Sequence, residues 1–275
     1  MPQCNGTRFS RSELLQASVE LRHALGYVKS MALRCAVKLG VADAIHRRGG
    51  SASLEDLLAE LSLDASRLPC LRGVMRALAA SGVFAEGSDG EYRLTAASSL
   101  LVDDGSSRGS LAPATLLFVA PPFVTPMLNL AEWLLAGADG SDSTATTAFE
   151  MTHGGDLWDV LGRDAVLSDF FNDALASDTR FVMDIAIRGS AQVFEGIASL
   201  VDVGGATGAA ARAVAAAFRS IKCTVLDLPQ VIDAVAPVDG LVDYVAGDMM
   251  EFVPPADAVL LKVISKTVYL LLAFK

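Results

Sequence analysis

The stretch Leu200-Val-Asp-Val-Gly-Gly-Ala-Thr-Gly208 decides the fold of the second half of this chain. A short apolar run ends in a cluster of glycines, and an alanine-rich segment from Ala209 to Phe218 follows at once. This pattern predicts a buried parallel strand that turns tightly into a helix whose free N–H groups face a ligand. Glycine suits such a turn because it adopts positive φ and carries no Cβ that would hold a ligand away from the backbone.

Strand and helix patterns alternate from Ser199 onward. The predicted strands are residues 200–203, 223–226, 241–246 and 257–262. Strands separated by helices form a parallel sheet, and the carboxyl ends of such strands line a ligand crevice. The fold class predicted for this part is therefore α/β: an incomplete Rossmann-like sheet of about four parallel strands.

The residues before Ser199 are predicted to be mainly helical. Ser10 with Glu13, and Ser53 with Asp56, have the spacing of capping boxes at helix starts. Two short β-type segments, 83–85 and 91–94, flank Gly-Ser-Asp-Gly and predict a hairpin. Helices followed by a hairpin make a winged-helix plan, which raises the question of DNA binding.

Composition argues against a nucleic-acid partner. The 275 residues are 52% apolar and carry a net charge of −10, which excludes a disordered chain and disfavours a polyanion binder. Arg67, Arg72 and Arg76 lie on the would-be recognition helix, but the first hundred residues hold only 12 basic against 10 acidic side chains. A protein that binds in a DNA groove needs a stripe of basic side chains to neutralise the phosphates. A packing or dimerisation module is favoured over a DNA-binding regulator.

The cysteines and the apolar segments indicate the cellular compartment of the protein. The four cysteines are scattered without a C-x-x-C pair, which favours free thiols in a reducing compartment. The N-terminus has no basic-then-apolar signal pattern. The most apolar stretch, 111–135, contains four prolines, so buried, broken helices are favoured over a membrane span. The sequence predicts a cytoplasmic protein.

Two acidic positions predict a nucleoside pocket beside the glycine loop. Asp227 ends the second strand about twenty residues after the loop, where a carboxylate accepts hydrogen bonds from ribose hydroxyls. The alternative role for Asp227 is to cap the turn before Pro229. The third strand ends in Gly247-Asp248-Met249. At this position an acid can accept a hydrogen bond from an adenine amino group, and a methionine can cover the adenine ring. The same residues are also typical of a plain turn.

NAD and S-adenosylmethionine pockets share these features, and three observations favour the methyl donor. Asp202 precedes the glycines in an acid-x-G-x-x-x-G run, which differs from the G-x-G-x-x-G spacing of dinucleotide binders. Asp248 adds a further acid, and the strand–helix part follows a long helical part, whereas many dehydrogenases begin with their nucleotide-binding unit. A dehydrogenase remains the alternative enzyme.

Several segments together carry a resemblance to a known family. They are 30–40 (SMALRCAVKLG), 92–95 (YRLT), 200–208, 227–231 (DLPQV), 247–249 and 254–262 (PPADAVLLK). From near Leu14 to about Lys262 the chain resembles plant O-methyltransferases of the caffeate/flavonoid/resveratrol type, which depend on S-adenosylmethionine and use no metal.

The resemblance implies a domain plan and a set of site residues. The plan is a winged-helix dimerisation domain at 1–110, a helical substrate-pocket segment at 111–198 and a partial S-adenosylmethionine domain at 199–275. The implied cofactor contacts are Gly204, Asp227, Asp248, Met249 and Lys262. The implied phenol-pocket residues are Met127, His153, Phe171, Asn172 and Met183, for which plain core packing is the alternative. The implied partners are a small phenolic substrate and a second copy of the chain, without nucleic acid, membrane or metal.

Two departures from the family pattern stand out. Ala206 replaces the third glycine of the loop, which costs about 1 kcal/mol if that position needs positive φ. After the Leu-Leu-Lys the family continues with a Trp and a His-Asp-Trp, whose histidine is the general base, whereas Lys266 stands at that place here. A lysine with its ordinary pKa of about 10.4 is protonated at pH 7 and cannot accept the phenol proton. The resemblance thus predicts a C-terminally truncated chain without a catalytic base; the alternative function is a non-catalytic partner of full-length methyltransferases.

Overall fold

The computed structural model describes residues 10, 19, 23–105, 109–136, 147–233 and 240–262. Contacts divide the chain into two compact units, Met1–Val102 and Asp103–Lys275, and each is described by itself. The predicted divisions at residues 110 and 198 remain predictions. Glu13 of the first predicted capping box, and Lys266, lie outside the described residues.

The first unit is mainly helical, as predicted. Its helices are α1 (Gly26–Leu39), α2 (Val41–Arg47), α3 (Leu54–Glu60), α4 (Leu68–Ala79) and α5 (Ala96–Ser99), with a 3-10 turn at Ala65–Arg67. The capping box of α3 is confirmed, because Ser53 Oγ accepts from the Asp56 N–H at 3.1 Å and Asp56 Oδ2 accepts from the Ser53 N–H at 3.1 Å. Gly40, with φ of 70°, ends α1 in the left-handed conformation.

The predicted hairpin of the first unit is confirmed and gains a third strand. The strands are β1 (Ser51–Ala52), β2 (Phe84–Glu86) and β3 (Tyr92–Leu94), which form an antiparallel sheet in the order β1-β3-β2. Phe84 and Tyr92 are buried in one core with residues of α2, α3 and α4. Sequence patterning missed β1 because two residues are too few to show a period.

Helices make up the first part of the second unit. They are α6 (Ala112–Phe118), α7 (Pro121–Leu128), α8 (Leu130–Ala136), α9 (Ala148–His153), α10 (Leu157–Arg163) and α11 (Ala165–Gly189), followed by a 3-10 turn at Ala191–Phe194. Among the described residues, 112–136 is the one stretch apolar and long enough to cross a membrane by length and composition alone. It is divided into three helices of 7, 8 and 7 residues, whereas a single spanning helix needs about 20.

A parallel sheet completes the second unit. Its strands β4 (Ser199–Val203), β5 (Lys222–Asp227), β6 (Asp243–Ala246) and β7 (Ala258–Leu260) stand in the order β6-β5-β4-β7. Helix α12 (Ala209–Ala217) lies between β4 and β5, and α13 (Pro229–Ile232) lies between β5 and β6. Side chains of α11 and α12 share a buried cluster with Leu200 and Val225. The four predicted strands are confirmed, and their carboxyl ends meet at one edge.

Candidate functional site

The loop between β4 and α12 has the backbone conformation that its glycines predict. Gly204 has φ of 68° and Gly208 has φ of 78°. Ala206 between them has φ of 48°, so the position does require the left-handed region. The Gly204 N–H donates to the Leu226 carbonyl at 2.8 Å, which ties the start of the loop to β5. Ala206 is therefore a strained residue at the centre of the predicted cofactor loop.

Asp227 lies at the end of β5 and faces this loop. Its Oδ2 accepts a hydrogen bond from the Ala206 N–H at 2.8 Å, and its Oδ1 accepts from the Leu228 N–H at 2.8 Å. The carboxylate thus caps the turn after β5 and also holds the loop. Each carboxylate oxygen accepts more than one hydrogen bond, so both atoms retain capacity for hydroxyl donors.

Asp202 lies beneath the loop and is 1% exposed. Its Oδ2 accepts from the Ala211 N–H at 3.1 Å and so holds the first turn of α12 to β4. Burial raises the pKa of this carboxyl to about 6, the nearby Asp227 charge acts in the same direction, and the Ala211 N–H and the Lys262 charge oppose them. A Cβ at Gly205 would lie 2.8 Å from Asp202 Cγ, which explains the glycine at that position.

Tyr244 supports the loop from β6, and sequence reasoning missed it. Its hydroxyl donates to the Thr207 carbonyl at 3.0 Å. Glycine is favoured at position 208 by its φ of 78°, and a Cβ there would lie 2.8 Å from the same hydroxyl oxygen, so Tyr244 would have to shift. No local signal marks Tyr244, because its partner lies 37 residues away in the chain.

Asp248 and Met249 follow β6 at the same edge of the sheet. The Gly247 N–H donates to the Asp227 carbonyl at 2.9 Å, which places the Asp248 turn next to the end of β5. Asp248 Oδ1 accepts from the Met250 N–H at 2.8 Å, as in an Asx turn. The Met249 side chain is 53% exposed and has no core role. The structure thus places four predicted cofactor residues (Gly204, Asp227, Asp248 and Met249) at one sheet edge.

Lys262 follows β7, which pairs with β4 at that edge. Its Nζ lies 2.7 Å from Oδ2 of Asp178 on α11. Sequence reasoning did not single out Asp178, since a charged residue on a long helix is most often solvated. The ion pair therefore connects a predicted cofactor residue to a helix that carries several of the predicted phenol-pocket residues.

The predicted phenol-pocket residues do not all lie together. Phe171 is 2% exposed and packs near Phe123, with ring centroids 6.3 Å apart, in an apolar cluster that Met127 joins. His153 contacts this cluster, since its ring lies 4.4 Å from the ring of Phe149 and its Nε2 donates to the Pro122 carbonyl at 2.8 Å. Asn172 is exposed on α11, and Met183 is buried in the other cluster, between α11 and the sheet.

Metal-binding groups and disulfides are absent from the part of the chain described above. No group of three or more His, Cys, Asp or Glu side chains converges there. Cys35 and Cys70 are exposed free thiols, and Cys223 is a buried one.

Comparisons with known proteins agree with this architecture. Residues 9–104 match the model of an O-methyltransferase dimerisation domain, and residues 128–267 match that of an O-methyltransferase domain. Acetylserotonin O-methyltransferase 1 of Oryza sativa subsp. japonica is 44% identical over 267 residues, which are 95% of this chain and 72% of that protein. The 5-pentadecatrienyl resorcinol O-methyltransferase of Sorghum bicolor is 42% identical over 268 residues, covering 91% of this chain and 71% of that protein.

A solved structure has the same fold. CalO1, a methyltransferase in calicheamicin biosynthesis in its SAH-bound form, superposes with a TM-score of 0.71 at 26% identity, covering 92% of this chain and 71% of that one. The dimerisation domain, the parallel sheet and the relatives above 40% identity all agree. The chain therefore belongs to the plant O-methyltransferase family, an enzyme family whose cofactor is S-adenosylmethionine.

Proposed function

We propose that this chain binds S-adenosylmethionine at the carboxyl ends of β4, β5 and β6. The observation that carries the proposal is the Asp227 carboxylate, held at the edge of a positive-φ loop by the Ala206 and Leu228 N–H groups. An acceptor fixed beside glycine backbone suits a ribose diol. We expect Asp248 to accept from the adenine amino group and the exposed Met249 to cover the ring, because both follow β6 at the same edge of the sheet.

The proposed reaction is methyl transfer to a phenolic hydroxyl of a small aromatic metabolite. The bound cofactor supplies an electrophilic sulfonium methyl group. The phenolic oxygen forms a bond to the methyl carbon as the carbon–sulfur bond breaks, and the phenolic proton leaves to a base or to water. Support for a phenol comes from the Sorghum relative, whose name specifies a resorcinol. The role of the chain is to hold donor and acceptor in line.

We further propose that this chain lacks the histidine base of the family. Lys266 stands at the expected place, and the match to the O-methyltransferase domain extends to residue 267, so that place lies inside it. None of the three histidines, His23, His46 and His153, lies in that segment. Lys266→His should raise phenol turnover on the order of a hundredfold if proton removal limits the rate. Equal turnover of the two proteins would refute this part of the proposal.

Calorimetry tests the cofactor site without relying on turnover. Saturable binding of S-adenosylhomocysteine, the demethylated product, and none of NAD is expected. Asp227→Ala should weaken that binding at least tenfold, because hydrogen bonds to a charged group contribute about 1.5–3 kcal/mol. Asp243→Asn is the matched control, since Asp243 begins β6 and pairs with Lys222 away from the loop. Binding of NAD instead would favour the dehydrogenase alternative.

A non-catalytic dimer partner is the second candidate, and the first unit favours it. Residues 9–104 match a dimerisation domain, and α1 with the residue before it exposes Leu25, Tyr27 and Val28. We propose that this surface pairs two copies of the chain, or one copy with a full-length relative, in the cytosol. Co-expression with a tagged full-length methyltransferase should recover heterodimers. Monomers of both proteins in sizing experiments would contradict both forms of pairing.

A further inference from the structure

We infer that Asp178 is a positioning residue for the cofactor edge of the sheet, because its carboxylate holds the Lys262 ammonium in place. The inference rests on the proposed function, in which Lys262 is a cofactor-edge residue. Asp178 Oδ2 lies 2.7 Å from Lys262 Nζ, which is the distance of a charge-assisted hydrogen bond. The two residues are 84 positions apart, so only the tertiary fold pairs them.

Asp178 stands on a well-supported part of α11. Its neighbours Ser177 and Thr179 are both buried. The Ser177 hydroxyl donates to the Ser110 carbonyl, and the Thr179 hydroxyl donates to the Leu175 carbonyl at 2.7 Å. One turn further on, Met183 is buried against the sheet. The packing of these neighbours therefore sets the position of Asp178 on its helix.

Lys262 is aligned with the cofactor loop by strand register. Leu200 pairs with Ala258 and Asp202 pairs with Leu260, and this register, continued two residues past the end of β7, would bring residue 262 level with Gly204. Alternation along a strand puts Leu260 and position 262 on the face to which Asp202 belongs. The Lys262 charge acts on Asp202, which agrees with this placement. The ion pair thus links α11 to the end of β7, the strand that pairs with β4, from which the loop starts.

The exposure of the pair explains why its role concerns position more than stability. The side chains are 21% exposed for Lys262 and 38% exposed for Asp178. Ion pairs with this much solvent contact add little to the free energy of unfolding. A lysine has a flexible four-carbon stem, however, and its ammonium is fixed only by what it binds. Without Asp178, the Lys262 ammonium is no longer held in one place. The ligand must then order this side chain when it binds, which lowers its affinity.

The test combines two measurements on four proteins: wild type, Asp178→Asn, Lys262→Met and the double variant. Asp178→Asn should weaken S-adenosylhomocysteine binding about five- to tenfold in calorimetry, while the thermal midpoint moves by less than about 2 °C. The double variant should bind no more weakly than Lys262→Met alone, because the two residues act as one unit. Asp178→Glu, which keeps the charge, should recover part of the affinity.

A matched control lies on the same helix. Asp184 pairs with Arg188 at 2.7 Å on the surface of α11, so Asp184→Asn removes one carboxylate from α11 without touching Lys262. It should leave the affinity unchanged. NMR of lysine ammonium protons in the ligand-free protein should show faster exchange at Lys262 in Asp178→Asn and not in Asp184→Asn.

The outcomes separate this inference from the proposed function. The positioning role would be overturned if Asp178→Asn bound S-adenosylhomocysteine as tightly as wild type, or if the losses of affinity in the two single variants simply added in the double variant. Neither result would contradict the proposed cofactor site. Unchanged ammonium exchange in Asp178→Asn would overturn the ion pair itself. Failure of the wild type to bind S-adenosylhomocysteine would instead overturn the proposed function.

Discussion

Asp227 and Ala206, 21 residues apart, are joined by a 2.8 Å hydrogen bond from the Ala206 N–H to Asp227 Oδ2. The bond connects the carboxyl end of β5 to the middle of the loop that follows β4. The residue predicted to meet the ribose and the residue that departs from the family's glycine pattern therefore form one unit. A change in the backbone at Ala206 is transmitted to the proposed ribose acceptor.

Ala206→Gly should stabilise the protein and improve cofactor binding. Left-handed φ costs an alanine about 1–2 kcal/mol, and the greater chain entropy of glycine offsets about 0.5–1 kcal/mol of this gain. The net gain expected in urea unfolding lies between about 0 and 1.5 kcal/mol. Ser62, with φ of 52°, is the other non-glycine residue at positive φ in the described chain. Ser62→Gly should also stabilise but leave S-adenosylhomocysteine affinity unchanged; equal affinity changes in both variants would contradict a local effect at the loop.

Asp202 should make stability fall as pH rises through about 6. Its folded pKa is raised to about 6 from an ordinary 3.8, so the folded protein holds this proton more tightly than the unfolded chain does. The resulting stabilisation is complete below about pH 4 and is lost as pH rises through 6, with an upper limit of about 3 kcal/mol.

Asp202→Asn, which still offers an oxygen to the Ala211 N–H, removes this dependence. Urea unfolding of both proteins at intervals from pH 4 to 8 measures it. Asp257→Asn is the control: N–H donors from Ala198 and Ser199 lower the pKa of Asp257 below its ordinary 3.8, so its stabilisation is lost only on acidification below that pH. The difference in stability between wild type and Asp257→Asn should therefore stay nearly constant from pH 4 to 8. A constant difference between wild type and Asp202→Asn across this range would contradict the assignment.

Tyr244→Phe should loosen the loop. It removes the hydrogen bond to the Thr207 carbonyl, which is worth about 0.5–1.5 kcal/mol, and affinity for S-adenosylhomocysteine should fall a few-fold. Gly208→Ala should be worse, because the added Cβ meets the Tyr244 hydroxyl in addition to the backbone strain. In the double variant the steric part is relieved, so its loss should be smaller than the sum of the two single losses. Simple additivity would show that the two residues do not contact each other.

Phe171→Ala should destabilise the second unit by about 3–5 kcal/mol, since it empties a fully buried site in the Phe123–Phe149 cluster. Asn172→Ala, at the exposed neighbouring position, should change the free energy of unfolding by less than about 0.5 kcal/mol. Urea unfolding curves of both variants provide the comparison. A small loss in Phe171→Ala would favour an open binding pocket over a packed core at this position.

The elements predicted well from sequence are those specified by neighbouring residues. The capping box of Ser53 and Asp56 needs only a few consecutive residues. The apolar runs of β4 and β5, and the glycine turn, are likewise local patterns. Whether position 206 adopts positive φ was left open by the sequence, and the structure shows a φ of 48° there. Asp227 and Asp248 were proposed as cofactor contacts because each lies at the end of a predicted strand, and those roles stay predictions.

The remaining features depend on contacts between distant residues. The two-residue β1 exists only because it pairs with β3. Tyr244 acts on Thr207 across the sheet, and Asp178 meets Lys262 across 84 residues. Helical periodicity cannot separate Phe171 and Met183, which share α11 yet enter different cores. By itself the sequence determined the family, the loop and the acids around it, because local propensity and spacing specify them; tertiary packing alone decided which side chains hold those groups in place.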